Sequence, residues 1–252
     1  MLRRYKPHLL ELGLIAGAYL VYLLARGLAF SDVDATALSN AEKVVSLEKG
    51  LGIFWEPGWQ AWALGNAQPL VVALNWVYIG TYWPIIFLLG FLVYQKDRRV
   101  YYHYRNVFLL GFGFALVVFT LFPLAPPFVV SPFPAAPLNE VDRLINTIQV
   151  LGPSFYGGPE MAPLYNTNAA MPSLHFTWTV VLGVLWVQRS RGVVKSLGVA
   201  YPALTFFAIT VTGNHYILDA IAGGTLAFIS LGLMELWTRR RKIFASATGI
   251  SG

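Results

Sequence analysis

Long apolar stretches recur along this chain, each close to the length that crosses a bilayer. A span needs about 20 mostly apolar residues to cover a hydrocarbon core of about 30 Å. Residues 9–30, 70–94, 107–124, 169–187, 196–212 and 215–237 meet that requirement. Hydrophobic residues make up 56% of the 252 and charged residues only 12%, against about 25% charged in a soluble domain. A soluble globular fold is excluded. The expectation is an all-α polytopic membrane protein, one membrane domain over residues 1–252, with six transmembrane helices in a bundle.

The net charge of +6 takes its meaning from where the Lys and Arg residues fall. Arg3, Arg4 and Lys6 precede the first stretch, and Lys96, Arg98, Arg99 and Arg105 separate the second from the third. Arg189, Arg191 and Lys195 lie between the fourth and fifth, and Arg239, Arg240, Arg241 and Lys242 follow the sixth. Only Arg26, Lys43, Lys49 and Arg143 are left for the other side. This is the positive-inside pattern with both termini cytoplasmic, in a plasma or inner membrane. The basicity is topological, and nucleic acid is not expected as a partner. The first apolar run is longer than that of a secretory signal, and no Ala-x-Ala site follows it, so a retained helix is expected. With no cysteine, disulfides, thiolate nucleophiles and Cys-ligated metals are excluded.

Residues 31–69, residues 125–171 and the turn at Gly213-Asn214 then face outward. Over 34–50, Val33, Ala37, Val44, Val45, Leu47 and Leu51 recur at helical spacing, and Trp55, Trp59 and Trp62 follow. The spacing predicts an interfacial amphipathic helix with an aromatic anchor; a helix packed on the other spans is the equal alternative. Six prolines between Pro123 and Pro137 exclude regular helix there. A short amphipathic turn through Val141, Leu144, Ile145, Ile148 and Leu151 follows.

Ionisable residues at membrane depth are costly and mark function. Glu11 and Glu235 lie near cytoplasmic ends, where they reach water. Asp219 lies one turn into the sixth stretch, four residues after His215. That spacing puts both on one helical face, where the carboxylate can accept a proton from one imidazole nitrogen and leave the other as nucleophile or base. A buried polar pair that only holds helices together is the competing reading. Gly213-Asn214 offers an N-cap for this helix. Met171-Pro172-Ser173-Leu174-His175 reads as another helix start, with Pro172 in its first turn and free amides suited to phosphate. The charge topology puts His175 and His215 on the same outer face. His8 and His103 fall in cytoplasmic segments as ordinary interface residues.

At these residues the chain resembles the type 2 phosphatidic acid phosphatase superfamily, six-helix membrane enzymes that need no metal or other cofactor. Pro172-Ser173-Leu174-His175 matches the family's second motif, P-S-G-H, with Leu174 in place of glycine. His215 and Asp219 match the second half of its third motif, S-R-x-x-x-x-x-H-x-x-x-D; Ala208 and Ile209 stand where the S-R belongs. The resemblance implies attack of His215 on phosphorus to form a phosphohistidine, orientation of His215 by Asp219, and protonation of the leaving oxygen by His175. The first motif, K-x-x-x-x-x-x-R-P, has an apparent relative in Arg98 and Arg105-Asn106, which topology places on the wrong side. Phe122-Pro123-Leu124-Ala125-Pro126-Pro127 stands at its place without a cation. These departures, with Asn214-His215-Tyr216 and the run Leu47-Glu48-Lys49-Gly50-Leu51-Gly52-Ile53-Phe54, are more similar to the inositol phosphorylceramide synthase branch, which carries P-S-x-H and H-Y-x-x-D.

The expected function is cleavage or transfer of a lipid phosphate ester at the extracytoplasmic face, with lipid phosphates or phosphodiesters and membrane lipids as partners. Since a phosphoryl transition state needs cations or dipoles on its oxygens, Ser173, Asn214 and Arg26 are the expected phosphate-binding residues, and Lys43, Lys49 and Arg143 are further candidates. A transporter or flippase of anionic lipids, or an inactive scaffold of the same fold, are the alternatives.

Overall fold

The computed structural model describes residues 2–29, 35–130, 143–153 and 168–248, with the side chains at 2–5, 25–29 and 242–248 outside that description. Eleven α-helices are present among these residues: α1 (Leu2–Ala29), α2 (Ala35–Leu51), α3 (Glu56–Asn66), α4 (Gln68–Trp76), α5 (Tyr82–Lys96), α6 (Arg98–Leu121), α7 (Pro127–Val130), α8 (Thr147–Leu151), α9 (Leu174–Arg189), α10 (Val194–Val211) and α11 (Ile217–Thr248). No strand is formed among the described residues; a single parallel bridge joins Leu124 to Ala169. A π turn, Val77–Thr81, makes α4 and α5 one continuous helix.

Among the described residues, five helices are long and apolar enough to span a membrane: Lys6–Leu24, Gln68–Lys96, Arg98–Leu121, Val194–Val211 and Ile217–Arg241. The fourth expected span is α9, whose 16 residues make it shorter than those five. Its start moves from residue 169 to Leu174 because Ser173 caps it, accepting a hydrogen bond from Phe176 N; Pro172 therefore precedes the helix rather than opening its first turn. The third span begins nine residues earlier than expected. Asp97 caps it by accepting from the amides of Arg99 and Val100, so the charged residues that follow are helical, not a loop.

Helix α9 lies between α10, α11 and α6, and small residues let it approach them closely. At the α9–α10 crossing, a methyl group on Gly183 would stand 2.4 Å from the Gly198 carbonyl oxygen. Where α9 meets α11, a methyl group on Gly223 would stand 2.6 Å from the Ser173 carbonyl oxygen. These contacts hold α9, which carries His175, against the two helices that flank the His215 turn.

The Lys- and Arg-rich segments gather at one end of the bundle. Arg189 bonds Asp97 across 3.3 Å, the Tyr94 hydroxyl meets His8 Nδ1 at 2.7 Å, and Tyr104 donates to Gln188. Glu11 was expected to reach water. Instead it is largely covered, paired with Arg105 and accepting from the Tyr101 hydroxyl; a carboxylate at that depth is stabilised by a partner rather than by solvent.

At the opposite end α2 packs one face on the site. Ala37, Ala41, Val44 and Val45 are buried against Leu124, Ala125, Ala170 and Tyr216. The helix forms where the spacing predicts it, but Leu47 and Leu51 are exposed, because Glu48 rather than Leu47 continues the buried stripe. Val33 lies outside the described residues. Up to Val130, the last described residue of the proline-rich segment, there is one helical turn, α7, which opens on Pro127, a position where proline's missing N–H costs nothing. In α8, Asn146 caps the turn and Leu144 and Ile148 are buried; Val141 is outside the description. Gln60 of α3 ties this segment to α10, donating to the carbonyls of Ile145 and Val211 and accepting from Ile145 N. Asn75 and Thr147 exchange two further bonds.

Candidate active site

His215 stands in the turn between α10 and α11. Its backbone N–H donates to the Ile209 carbonyl at 3.0 Å. Its ring Nδ1 lies 3.0 Å from the Ala170 carbonyl oxygen and 3.2 Å from Asp219 Oδ2. A carbonyl oxygen only accepts, so Nδ1 carries the proton and shares it between both acceptors. In the neutral ring, Nε2 then holds the lone pair. Asp219 is fully buried and its Oδ2 also accepts from Tyr216 N at 3.0 Å. The expected His215–Asp219 bond is present, but not as a pair on one helical face: α11 begins at Ile217, so His215 meets Asp219 from the turn before the helix.

His175, in the first turn of α9, is 6.2 Å from His215 between ring centroids. Tyr78 stacks on it at 4.5 Å, and the tilted ring of Tyr82 lies 4.4 Å away. Both tyrosines come from the π-turn region, and π turns recur at functional sites because the extra residue re-aims side chains. Tyr82 stacks in turn on Trp178 at 5.6 Å. This aromatic enclosure was not foreseen. Its sequence signal is the density of aromatic residues between Trp76 and Trp83, which reads equally well as a lipid-facing span.

Both histidines and Asn214 line a cavity of about 1040 Å³ that continues between α1, α5, α6 and α9 to His8, Glu11 and Arg105. Its lining along α1 runs from His8 to Leu23, a length of about 22 Å at the helical rise of 1.5 Å per residue. The walls between the two ends are mainly apolar and aromatic, including Leu12, Ile15, Phe87 and Phe112.

The expected phosphate-binding residues fare differently. Ser173 is fully buried; its hydroxyl serves the cap of α9, and its N–H donates to the Asp219 carbonyl at 3.1 Å. Asn214 lines the cavity but does not cap α11, since its amide donates to Thr212 Oγ1. The side chain of Arg26 lies outside the described residues. Lys43, Lys49 and Arg143 are exposed, Lys43 donating to Asn40 and Lys49 lying over Phe54. None of these three lines the cavity. Ala208 and Ile209 are fully buried. Arg105 is fourteen residues before Phe119 on α6, and Phe119 lies in the cluster that Leu174 packs against. It therefore sits at the far end of the cavity from His175, as the rejection of that arginine as a motif residue requires. Among the described residues no group of His, Asp and Glu side chains could hold a metal ion.

What caps α11 instead is a pair of glutamates from elements distant in sequence. Glu56 Oε1 accepts from Ile217 N and Glu48 Oε1 from Leu218 N, each at 2.7 Å. Both glutamates are fully buried.

Comparisons with known proteins bear on the family of the chain. The sequence model described as PAP2 superfamily matches residues 42–233, more than half of the chain and the whole stretch from Glu48 to Asp219. A phosphoinositol dihydroceramide synthase of Bacteroides thetaiotaomicron is 25% identical over 227 residues, covering 82% of this chain and 70% of that protein. No solved structure matches. The extent of the family match, and the meeting of P-S-x-H with H-Y-x-x-D around one cavity, show that the chain belongs to the PAP2 superfamily, on its inositol phosphorylceramide synthase-like branch.

Proposed function

We propose that this protein is a metal-independent lipid phosphotransferase or phosphatase acting on a phosphodiester lipid through a phosphohistidine at His215, on the extracytoplasmic face. The observation that carries this is the pair of oxygen acceptors on Nδ1 of His215. Ala170 and Asp219 hold the proton on Nδ1, which leaves the Nε2 lone pair for phosphorus. In the first half-reaction Nε2 attacks phosphorus, the P–O bond to the leaving alcohol breaks, and His175 protonates that oxygen. In the second, His175 takes the proton of an incoming hydroxyl, which attacks phosphorus and breaks the P–N bond. Water as the incoming group makes the reaction a hydrolysis and a lipid alcohol makes it a transfer; the relative from Bacteroides thetaiotaomicron is named for synthesis, which favours transfer.

Two further features support the reading. The long apolar cavity that opens at the histidines suits hydrocarbon chains. The absence of arginine at position 209 suits a diester, whose single negative charge needs less compensation than a monoester dianion. The location of the basic clusters at the opposite end from the histidines supports an outward-facing site with cytoplasmic termini and α9 as a sixth pass.

The test is a panel of radiolabelled phospholipids, phosphatidylinositol among them, offered with and without ceramide to the detergent-solubilised protein. His215→Ala should abolish both turnover and the acid-labile, base-stable label on the protein; His175→Ala should slow the first step. Full turnover by His215→Ala would refute the mechanism. Binding of the lipids without any product, in parent and variants alike, would favour the transporter.

A further inference from the structure

The buried glutamates under α11 are not explained by phosphoryl chemistry alone. A helix start leaves four amides without intrahelical partners, and a neighbouring Ser, Thr, Asp or Asn is the usual remedy. Here three successive amides, those of Tyr216, Ile217 and Leu218, are taken by three carboxyls: Asp219, Glu56 and Glu48. The second oxygens of Glu48 and Glu56 find no donor among the described protein groups. Two ionised carboxylates side by side in a dry site, with Asp219 near, would repel each other strongly. One proton between them removes a charge and provides both free oxygens with a hydrogen bond.

We propose that Glu48 and Glu56 are positioning residues that share one proton and, in that state, seat the amino end of α11 so that His215 and Asp219 hold their register. This rests on the reading of His215 as nucleophile. Burial and the charge of Glu56 push the Glu48 carboxyl up to about 9, and burial raises Glu56 as well. The titratable groups that face the pair are Asp219 of α11 and the Tyr216 phenol in the turn before it. All of the charges acting on Glu48 and Glu56 are negative, so the site favours keeping the proton. When it leaves, two like charges press on amides 217 and 218, inside the turn that the His215–Asp219 bond closes.

Glutamine is the discriminating substitution. It keeps the carbonyl that accepts from α11 and adds an N–H for the neighbouring carboxylate, so Glu48→Gln imitates the protonated glutamate, whereas Glu48→Ala removes the acceptor. The experiment uses the whole chain in lipid nanodiscs with two readouts: the infrared carbonyl stretch of a protonated carboxylic acid, and the affinity for inorganic orthovanadate as a phosphorus transition-state probe. At neutral pH Glu48→Gln should keep vanadate affinity, while Glu48→Ala loses about tenfold or more. As pH rises through about 9, the parent should weaken relative to Glu48→Gln measured in the same buffers, which cancels vanadate's own titration. The infrared band should diminish in Glu48→Gln and in Glu56→Gln. The proposal is overturned if Glu48→Gln is as weak as Glu48→Ala, if the ratio of parent to Glu48→Gln affinity is flat with pH, or if the band is unchanged in both glutamine variants. Undiminished vanadate binding by His215→Ala would instead sink the nucleophile reading, and positioning with it, while the infrared result still decides whether the proton is shared.

Discussion

The contact between α9 and α11 offers the sharpest test of the site, because one methyl group reaches it. In Gly223→Ala the new Cβ would meet the Ser173 carbonyl oxygen at 2.6 Å and Thr177 Oγ1 at 3.1 Å. An ordinary contact begins at 3.4 Å, so the helices must part locally by about 0.8 Å. Two hydrogen bonds cross the same contact, Ser173 N to the Asp219 carbonyl at 3.1 Å and Thr177 Oγ1 to the Gly223 carbonyl at 3.0 Å. Parting the helices stretches both. His175 lies two residues from Ser173, and Asp219 lies one turn before Gly223, so the gap between the two histidines moves with the contact.

Overpacking of this kind costs about 1–3 kcal/mol, and alanine returns up to about 1 kcal/mol through helix propensity. The net loss of stability is therefore small, about 0–2 kcal/mol. Catalysis is far more sensitive, since a displacement of about 1 Å in reacting groups costs about a hundredfold. The expected result is a folded protein whose thermal midpoint drops by a few degrees and whose lipid-phosphate turnover falls about a hundredfold. Gly232→Ala is the control, because its methyl group meets nothing within 4 Å on the same helix; it should keep turnover and gain slightly in stability. Parental turnover in Gly223→Ala would refute the claim that this contact sets the distance between the histidines.

Four other outcomes follow from the geometry. Glu48 holds its proton from an ordinary 4.5 up to about 9, so between those values the folded chain binds a proton that the unfolded chain releases. Stability from this group is full below 4.5 and is lost as pH rises to about 9, by at most about 1.4 kcal/mol per pH unit; the thermal midpoint should fall over that window and Glu48→Gln should flatten the slope. In the cysteine-free chain, Leu51→Cys, 59% exposed near the histidine end, should react with an impermeant maleimide in intact cells, and Val193→Cys, 86% exposed in the basic α9–α10 turn, only after permeabilisation. Gln60→Leu removes three hydrogen bonds between α3, the 143–153 segment and α10; a loss of about 2–4 kcal/mol is expected, read as a lowered thermal midpoint. Ile209→Arg, which restores the family's arginine, should abolish folded protein rather than aid turnover, since position 209 is fully buried and an unpaired charge there costs several kcal/mol; size-exclusion elution of the variant as a monodisperse peak would contradict that.

Much of this architecture was legible because its signals are local. Apolar length marked the spans, and the i, i+4 spacing pointed to the contact of His215 with Asp219, although His215 makes it from the turn before α11 rather than from the helix. The basic clusters sorted the ends of the bundle well enough to bring His175 and His215 together across the chain. The cap of α11 was not legible, because Glu48 and Glu56 reach Leu218 and Ile217 across 170 and 161 residues, and the local candidate, Asn214, bonds Thr212 instead. One sign was present nonetheless. Ala37, Ala41, Val44 and Glu48 fall at consecutive helical turns, so the glutamate extends an apolar stripe, and a carboxyl on a buried stripe requires a partner. The aromatic shell of His175 was hidden for the opposite reason: tyrosine and tryptophan are so frequent in membrane spans that their presence beside a histidine carries no signal until packing is known.

The same carboxyls bear on what the site can bind. Where the family carries an arginine, this chain places Ile209, whose carbonyl holds the N–H groups of Asn214 and His215. That backbone service needs position 209 packed and immobile, and a buried apolar side chain provides this better than a long cation reaching for phosphate. Losing the cation leaves Glu48, Glu56 and Asp219 close behind His215, a setting that repels a doubly charged monoester. A proton held between the glutamates removes part of that repulsion, and a singly charged diester removes more. On the proposed reading, the missing arginine and the buried glutamates are two sides of one adjustment: the chain gives up a clamp for dianions and keeps a rigid histidine, an arrangement suited to a singly charged diester.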